Sequence, residues 1–178
     1  MTAMRKVGIL IERQRAFGRQ LCTGIVQYAQ TRDDWSLSML DWDDLKRPSR
    51  FRDFDGFVVR VLNKKIADFF SRMGKPVVDV FEGHATKRFV KVIQHAARIS
   101  QLAVRHFMNH HFATFGFFGY EGVEYSDMRR DAFVASLRQR RRECHVYHTP
   151  SSALKDFEYV VMRAEKYSAD QERQTISD

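Results

Sequence analysis

The chain has 178 residues, of which 44% are hydrophobic and fifteen are phenylalanine. That is enough for one domain of ordinary size, or one lobe and part of another, around a real core. The net charge of +8 and pI near 9.7 invite a nucleic-acid reading, but the basic excess is spread over several segments, and a basic surface alone does not establish contact. A spanning helix needs about 20 consecutive apolar residues, and no such run is present, so a membrane partner is not expected.

Residues 1–6 lead straight into a strand-like run, without the apolar core and cleavage site of a secretory signal, so a cytoplasmic location is expected. The run Val7, Gly8, Ile9, Leu10, Ile11 is apolar throughout, as a strand covered on both faces should be. Phe17, Leu21, Ile25 and Tyr28 then recur at helical spacing. Residues 35–40 alternate as a second strand, and residues 41–54 are charged and irregular. A third strand spans 57–61. Ile66, Phe69, Phe70 and Met73 mark a helix that Gly74 should stop. Residues 76–81 form a fourth strand, and 89–93 a short extended piece. Ile99, Leu102, Ala103, His106 and Phe107 mark a third helix, before a fifth strand over 112–120. A helix over 127–140, a strand over 145–148 and a helix over 154–166 complete the pattern.

Strands alternating with helices imply an α/β fold, a parallel sheet with helices on both faces. Ligands of such sheets lie beyond the carboxyl ends of the strands. The loops of interest are therefore 12–17, 41–44, 60–64, 82–88 and 120–128.

Several chemistries lack their residues. The loop after the first strand is bulky and charged, where a dinucleotide site needs glycines. Asp41 therefore reads as a loop-capping acid rather than a ribose ligand. Gly116, Gly119 and Gly122 match no phosphate loop, and strand three ends in Arg60 and Val61 where a phosphoacceptor domain needs an aspartate. His106 and His110 have a metal-ligand spacing without the zinc-protease glutamate, and read as helix-end histidines. Cys22 and Cys144 have no metal spacing and read as reduced, buried side chains. No Gly-x-Ser-x-Gly elbow occurs. Neither a catalytic set, a metal nor a cofactor is expected. Arg138, Arg140, Arg141 and Arg142 form the densest basic cluster, at a helix end where cations offset exposed carbonyls; a phosphate contact is the functional alternative.

The segments 7–12, 15–21 with Gly24 and Ile25, 55–60, 76–80 and 125–133 together resemble the sensor region of xylose-operon regulators, in order and spacing, to about Leu137. Those regulators join a periplasmic-binding-protein type I-like, lactose-repressor-like sensor to an AraC-type DNA-binding domain. The resemblance implies a non-enzymatic sensor that binds a pentose-like sugar between two lobes. It implies a homodimer that meets DNA only through a domain absent from this chain. A protein-interaction lobe without ligand, or a basic nucleic-acid module, is the alternative. The expected division is 1–119 for a complete first lobe and 120–178 for the crossover and a partial second lobe, the chain being cut short there.

The candidate ligand contacts are Glu12, Arg15, Phe17 and Arg60, with His95, Tyr120, Asp127 and Arg129. Arg129 matches a family arginine that reaches the effector, and its fixed fork of donors suits paired hydroxyls. His95 stands where the resembling family usually carries an aspartate. A neutral histidine accepts one hydrogen and donates one, where a carboxylate accepts two. Both a ligand contact and a plain helix-start role remain open for it.

Overall fold

The computed structural model describes residues 3–82 and 88–149. The helix expected over 154–166 lies outside them. The chain divides into two compact units. Among the described residues, the first holds 3–81 and 88–92 and the second holds Glu82 and 93–149.

The first unit is a five-stranded parallel sheet of β1 (Arg5–Leu10), β2 (Trp35–Met39), β3 (Gly56–Val59), β4 (Val77–Asp79) and β5 (Val90–Lys91). The spatial order is β2-β1-β3-β4-β5. Alternation along the strands sends neighbouring residues to opposite faces. Ile9, Ile11, Val58, Val78 and Val80 thus pack with Leu21, Cys22 and Ile25 of helix α1 (Ala16–Gln30). Leu10, Phe57, Val59 and Val77 face the other way, onto Ile66, Ala67, Phe69 and Phe70 of α2 (Lys64–Met73). Two 3-10 turns, Trp42–Lys46 and Pro48–Phe51, add Trp42 and Phe51 to that face. Phe51, buried completely, meets the rings of Phe57, Phe69 and Phe70 with centroids 4.9–5.8 Å apart.

The ends of α2 follow from sequence chemistry. Asn63 caps it by accepting from the Ile66 N–H at 3.1 Å. Gly74 ends it at φ 64°, a left-handed conformation that costs other residues about 1–2 kcal/mol. Asp41 takes a local part, its N–H donating to Asp44 Oδ2 at 3.0 Å at the start of the first 3-10 turn.

The second unit contains α3 (Ala96–Asn109), β6 (Gly116–Tyr120), α4 (Glu124–Arg138) and β7 (His145–Thr149). Its core joins Val104, Phe115, Phe133 and Leu137, flanked by Ala103, Met108, Phe117 and Cys144. Burial raises the Cys144 thiol above the usual cysteine range. β6 and β7 form a separate parallel pair, Gly116 opposite His145 through Tyr120 opposite Thr149. The expected fifth strand therefore does not extend the first sheet, which closes with β5 instead. The 119/120 division falls inside the second unit, because Val104 on α3 packs with residues that follow it. Helical periodicity marks a buried face, but not which element covers it.

Candidate ligand-binding sites

The sheet order places the topological switch between β1 and β3: the chain leaves β1 toward β2 on one side, then returns to β3 on the other. In open parallel sheets ligands gather beyond the carboxyl ends at such a point. Two charged residues stand there. Glu12 follows β1 by two positions and Arg60 follows β3 directly. They form an ion pair, Arg60 Nη1 to Glu12 Oε1, with side chains 11% and 1% exposed. Arg60 lies 4.6 Å from the Phe81 ring centroid and 5.9 Å from that of Phe17, which is itself 38% exposed.

The backbone around this pair is tightly fixed. A Cβ added at Gly18 would come within 1.8 Å of the Glu12 carbonyl oxygen, so only glycine lets α1 begin this close to Glu12. Asp79, fully buried at the end of β4, accepts from the N–H of Val61 at 3.1 Å and of Phe81 at 2.9 Å. It thereby holds the turns on either side of Arg60's guanidinium. Arg15 is the exposed residue preceding α1, whose start has no side-chain cap and no acid in its first turn. Glu12 Oε2 is buried with no hydrogen-bond partner among the described residues.

In the second unit Arg129, on α4, gathers a different set. Its Nη2 donates to Gln94 Oε1 at 2.5 Å and to Glu82 Oε2 at 3.3 Å, and its guanidinium lies 5.3 Å from the Tyr125 ring centroid. Glu82 also accepts from the Gln94 N–H at 2.5 Å. Arg129 Nε is buried without a hydrogen-bond partner among the described residues. Beside this cluster opens a cavity of about 510 Å³ lined by Ile93, Gln94, His95, Ala96, Met128 and Asp131, among others.

His95 lines that cavity and also starts α3, its Nδ1 accepting from the Arg98 N–H at 3.3 Å. An acceptor at this position satisfies one of the free amides of the first turn. We expect His95→Ala to cost about 1 kcal/mol of stability and His95→Asp to preserve or improve it. Urea unfolding of both variants would check this; equal losses would mean the cap contributes nothing.

Tyr120 bonds locally through its backbone, and Asp127 through its side chain. The Tyr120 N–H donates to Ser126 Oγ at 2.8 Å, and Asp127 pairs with Arg130 at 2.8 Å. Asp131 also pairs with Arg130, at 2.7 Å, which leaves Arg129 to Glu82. At the end of α3, His110 Nδ1 lies 2.9 Å from the His106 carbonyl oxygen. Phe81, Glu82, Gln94 and Tyr125 were missing from the sequence-derived contacts. Glu82 and Tyr125 carried a signal, since they lie in the loops 82–88 and 120–128 that follow strands.

No protein-family profile matches the chain, and no curated protein matches it by sequence. Solved structures do match in shape. The xylose-binding transcription activator xylR superposes with a TM-score of 0.64 at 18% identity, over 83% of this chain and 39% of its own. A LacI family transcriptional regulator from Enterococcus faecium, with bound ribose, gives 0.59 at 16% identity, over 82% and 58%. The regulator CcpA of Lactococcus lactis gives 0.64 at 13%, over 82% and 59%. The fold is periplasmic-binding-protein type I-like. This chain spans about two-fifths to three-fifths of the length of those structures. In the periplasmic-binding-protein fold seen here, the β1/β3 switch carries Glu12 and Arg60, and the second unit carries Arg129 with Glu82 and Gln94.

Proposed function

We propose that this chain is the effector-sensing part of a sugar-responsive transcription regulator rather than an enzyme. The observation that carries this reading is the buried Glu12–Arg60 pair, flanked by Phe17 and Phe81, at the carboxyl-end switch of the sheet. A guanidinium offers a rigid fork of donors, a carboxylate offers acceptors, and a half-exposed aromatic ring offers an apolar face; together these recognise a polyhydroxylated ring. Arg129, held by Glu82 and Gln94, presents the same donor chemistry in the second unit. The effector class is a neutral, pentose-like sugar bound between the lobes. Output passes to an AraC-type DNA-binding domain on the full-length protein, a cytoplasmic homodimer. Signalling requires the sugar to favour one conformation over another.

Calorimetric titration of the full-length protein with xylose, ribose and arabinose tests the proposal. One of them is expected to release heat on binding. Arg60→Lys keeps the charge and loses the fork, and should weaken binding by about tenfold or more. Arg129→Gln should do likewise. A folded wild-type protein that gives no heat with any pentose or hexose would overturn the sugar reading.

A further inference from the structure

The arginine cluster at the end of α4 meets a second set of arginines. Arg98, Gln101, Leu102 and Arg105 lie on one face of α3, at helical spacing, and line a pocket with Gln139 and Arg140. Its volume is about 180 Å³. All six residues belong to the second unit, and none takes part in the Arg129 cluster.

The charge around this pocket is one-sided. Helix α3 has no acidic residue, and over 138–149 Glu143 is the only acid against four arginines. Arg98, Arg105 and Arg140 have no carboxylate within ion-pair distance among the described residues. The acids Asp127 and Asp131 of α4 are both engaged by Arg130. Offsetting the helix dipole does not require so much charge. The last carbonyls of α4 are already satisfied: Ala135 by the Gln139 N–H, Leu137 by those of Arg140 and Arg142, and Arg138 by that of Arg141. Arg140 itself folds back onto Ser136, donating to its carbonyl oxygen at 2.9 Å and to Oγ at 3.2 Å. The backbone itself reverses at Arg141, at φ 56°, a left-handed conformation usual for glycine and uncommon for arginine, while the two bonds to Ser136 fix the Arg140 side chain. Arg140 is thus pre-positioned at the pocket, which lowers the ordering cost of binding.

We propose that this pocket binds a small phosphorylated polyol, such as a sugar phosphate, as a second ligand distinct from the neutral sugar effector. A phosphoryl group carries about two negative charges and three acceptor oxygens, which suits a pocket lined by three arginines. Gln101 and Gln139 supply amides that both donate and accept, suited to hydroxyls, and the half-exposed Leu102 supplies an apolar wall. Duplex DNA fits less well. Its phosphates are distributed along a backbone and call for a stripe of cations, whereas these lie around a concavity between two helices.

The test is calorimetric titration of the full-length protein with ribose phosphate and glucose phosphate, against free ribose, free glucose and sulfate. The phosphorylated sugars are expected to bind, sulfate far more weakly. Arg98→Gln and Arg105→Gln should each reduce affinity about tenfold or more, the loss of a charge-assisted hydrogen bond. Both side chains are exposed, so the core is undisturbed. Arg105→Gln should leave binding of the free pentose unchanged while weakening ester binding, which separates this site from the sugar proposal. Sulfate binding as tightly as the esters would mean an adventitious ion only. Duplex DNA binding lost in Arg98→Gln, with no ester binding, would assign the pocket to nucleic acid. Either outcome, or unchanged ester affinity in both variants, overturns the proposal.

Discussion

Replacing Arg60 with methionine is expected to destabilise the first unit by about 3–5 kcal/mol, because the Glu12 carboxylate would remain buried without its counter-charge. Glu12 is 1% exposed and cannot turn to water without opening the start of α1, which Gly18 holds against its own carbonyl oxygen. Glu12→Leu should be costly for the reciprocal reason, with the Arg60 side chain only 11% exposed. The double variant should be less destabilised than the sum of the two, since two apolar side chains in contact need neither partner nor solvent. Urea unfolding of the four proteins completes the cycle. Single variants that each lose under about 1 kcal/mol would place the pair in the class of surface salt bridges and would remove the electrostatic basis for a site at the β1/β3 switch.

Much of that switch was legible from strand alternation. Leu10 packs toward α2 while its neighbours Ile9 and Ile11 pack toward α1, and a continuous apolar run with turn signals at both ends is what two-sided burial demands. Since the run ends at Ile11, residue 12 had to begin the loop where ligands gather, and Glu12 and Arg60 followed as candidates. Their mutual pairing did not follow, because register between β1 and β3 is set by packing across the sheet rather than by local sequence. Arg129 shows the limit more sharply. Its partners Glu82 and Gln94 lie 47 and 35 residues earlier, and each is an ordinary loop residue by type. The nearer acids Asp127 and Asp131 were taken by Arg130 instead. His95 was ambiguous because a residue that begins a helix and a residue that faces a ligand need the same exposed acceptor; it both caps α3 and lines the neighbouring cavity.

Asp79 offers the second large effect, and its role was invisible in the sequence, where it reads as one polar residue in an apolar strand. Asp79→Ala is expected to cost about 2–5 kcal/mol, since the N–H groups of Val61 and Phe81 would lose their acceptor in a region with no access to water. Asp79→Asn keeps an acceptor oxygen at the same place and should cost distinctly less. The consequence reaches beyond stability. Val61 follows Arg60 directly, and Phe81 is the ring nearest the Arg60 guanidinium. Releasing both turns would free the guanidinium to leave the switch. Asp79→Ala should therefore weaken sugar binding at temperatures where the protein remains folded, and Asp79→Asn should restore most of it. Paired unfolding curves and titrations would read the two effects separately. If Asp79→Ala binds sugar as tightly as the wild type, Asp79 supports the sheet alone and the Arg60 geometry does not depend on it.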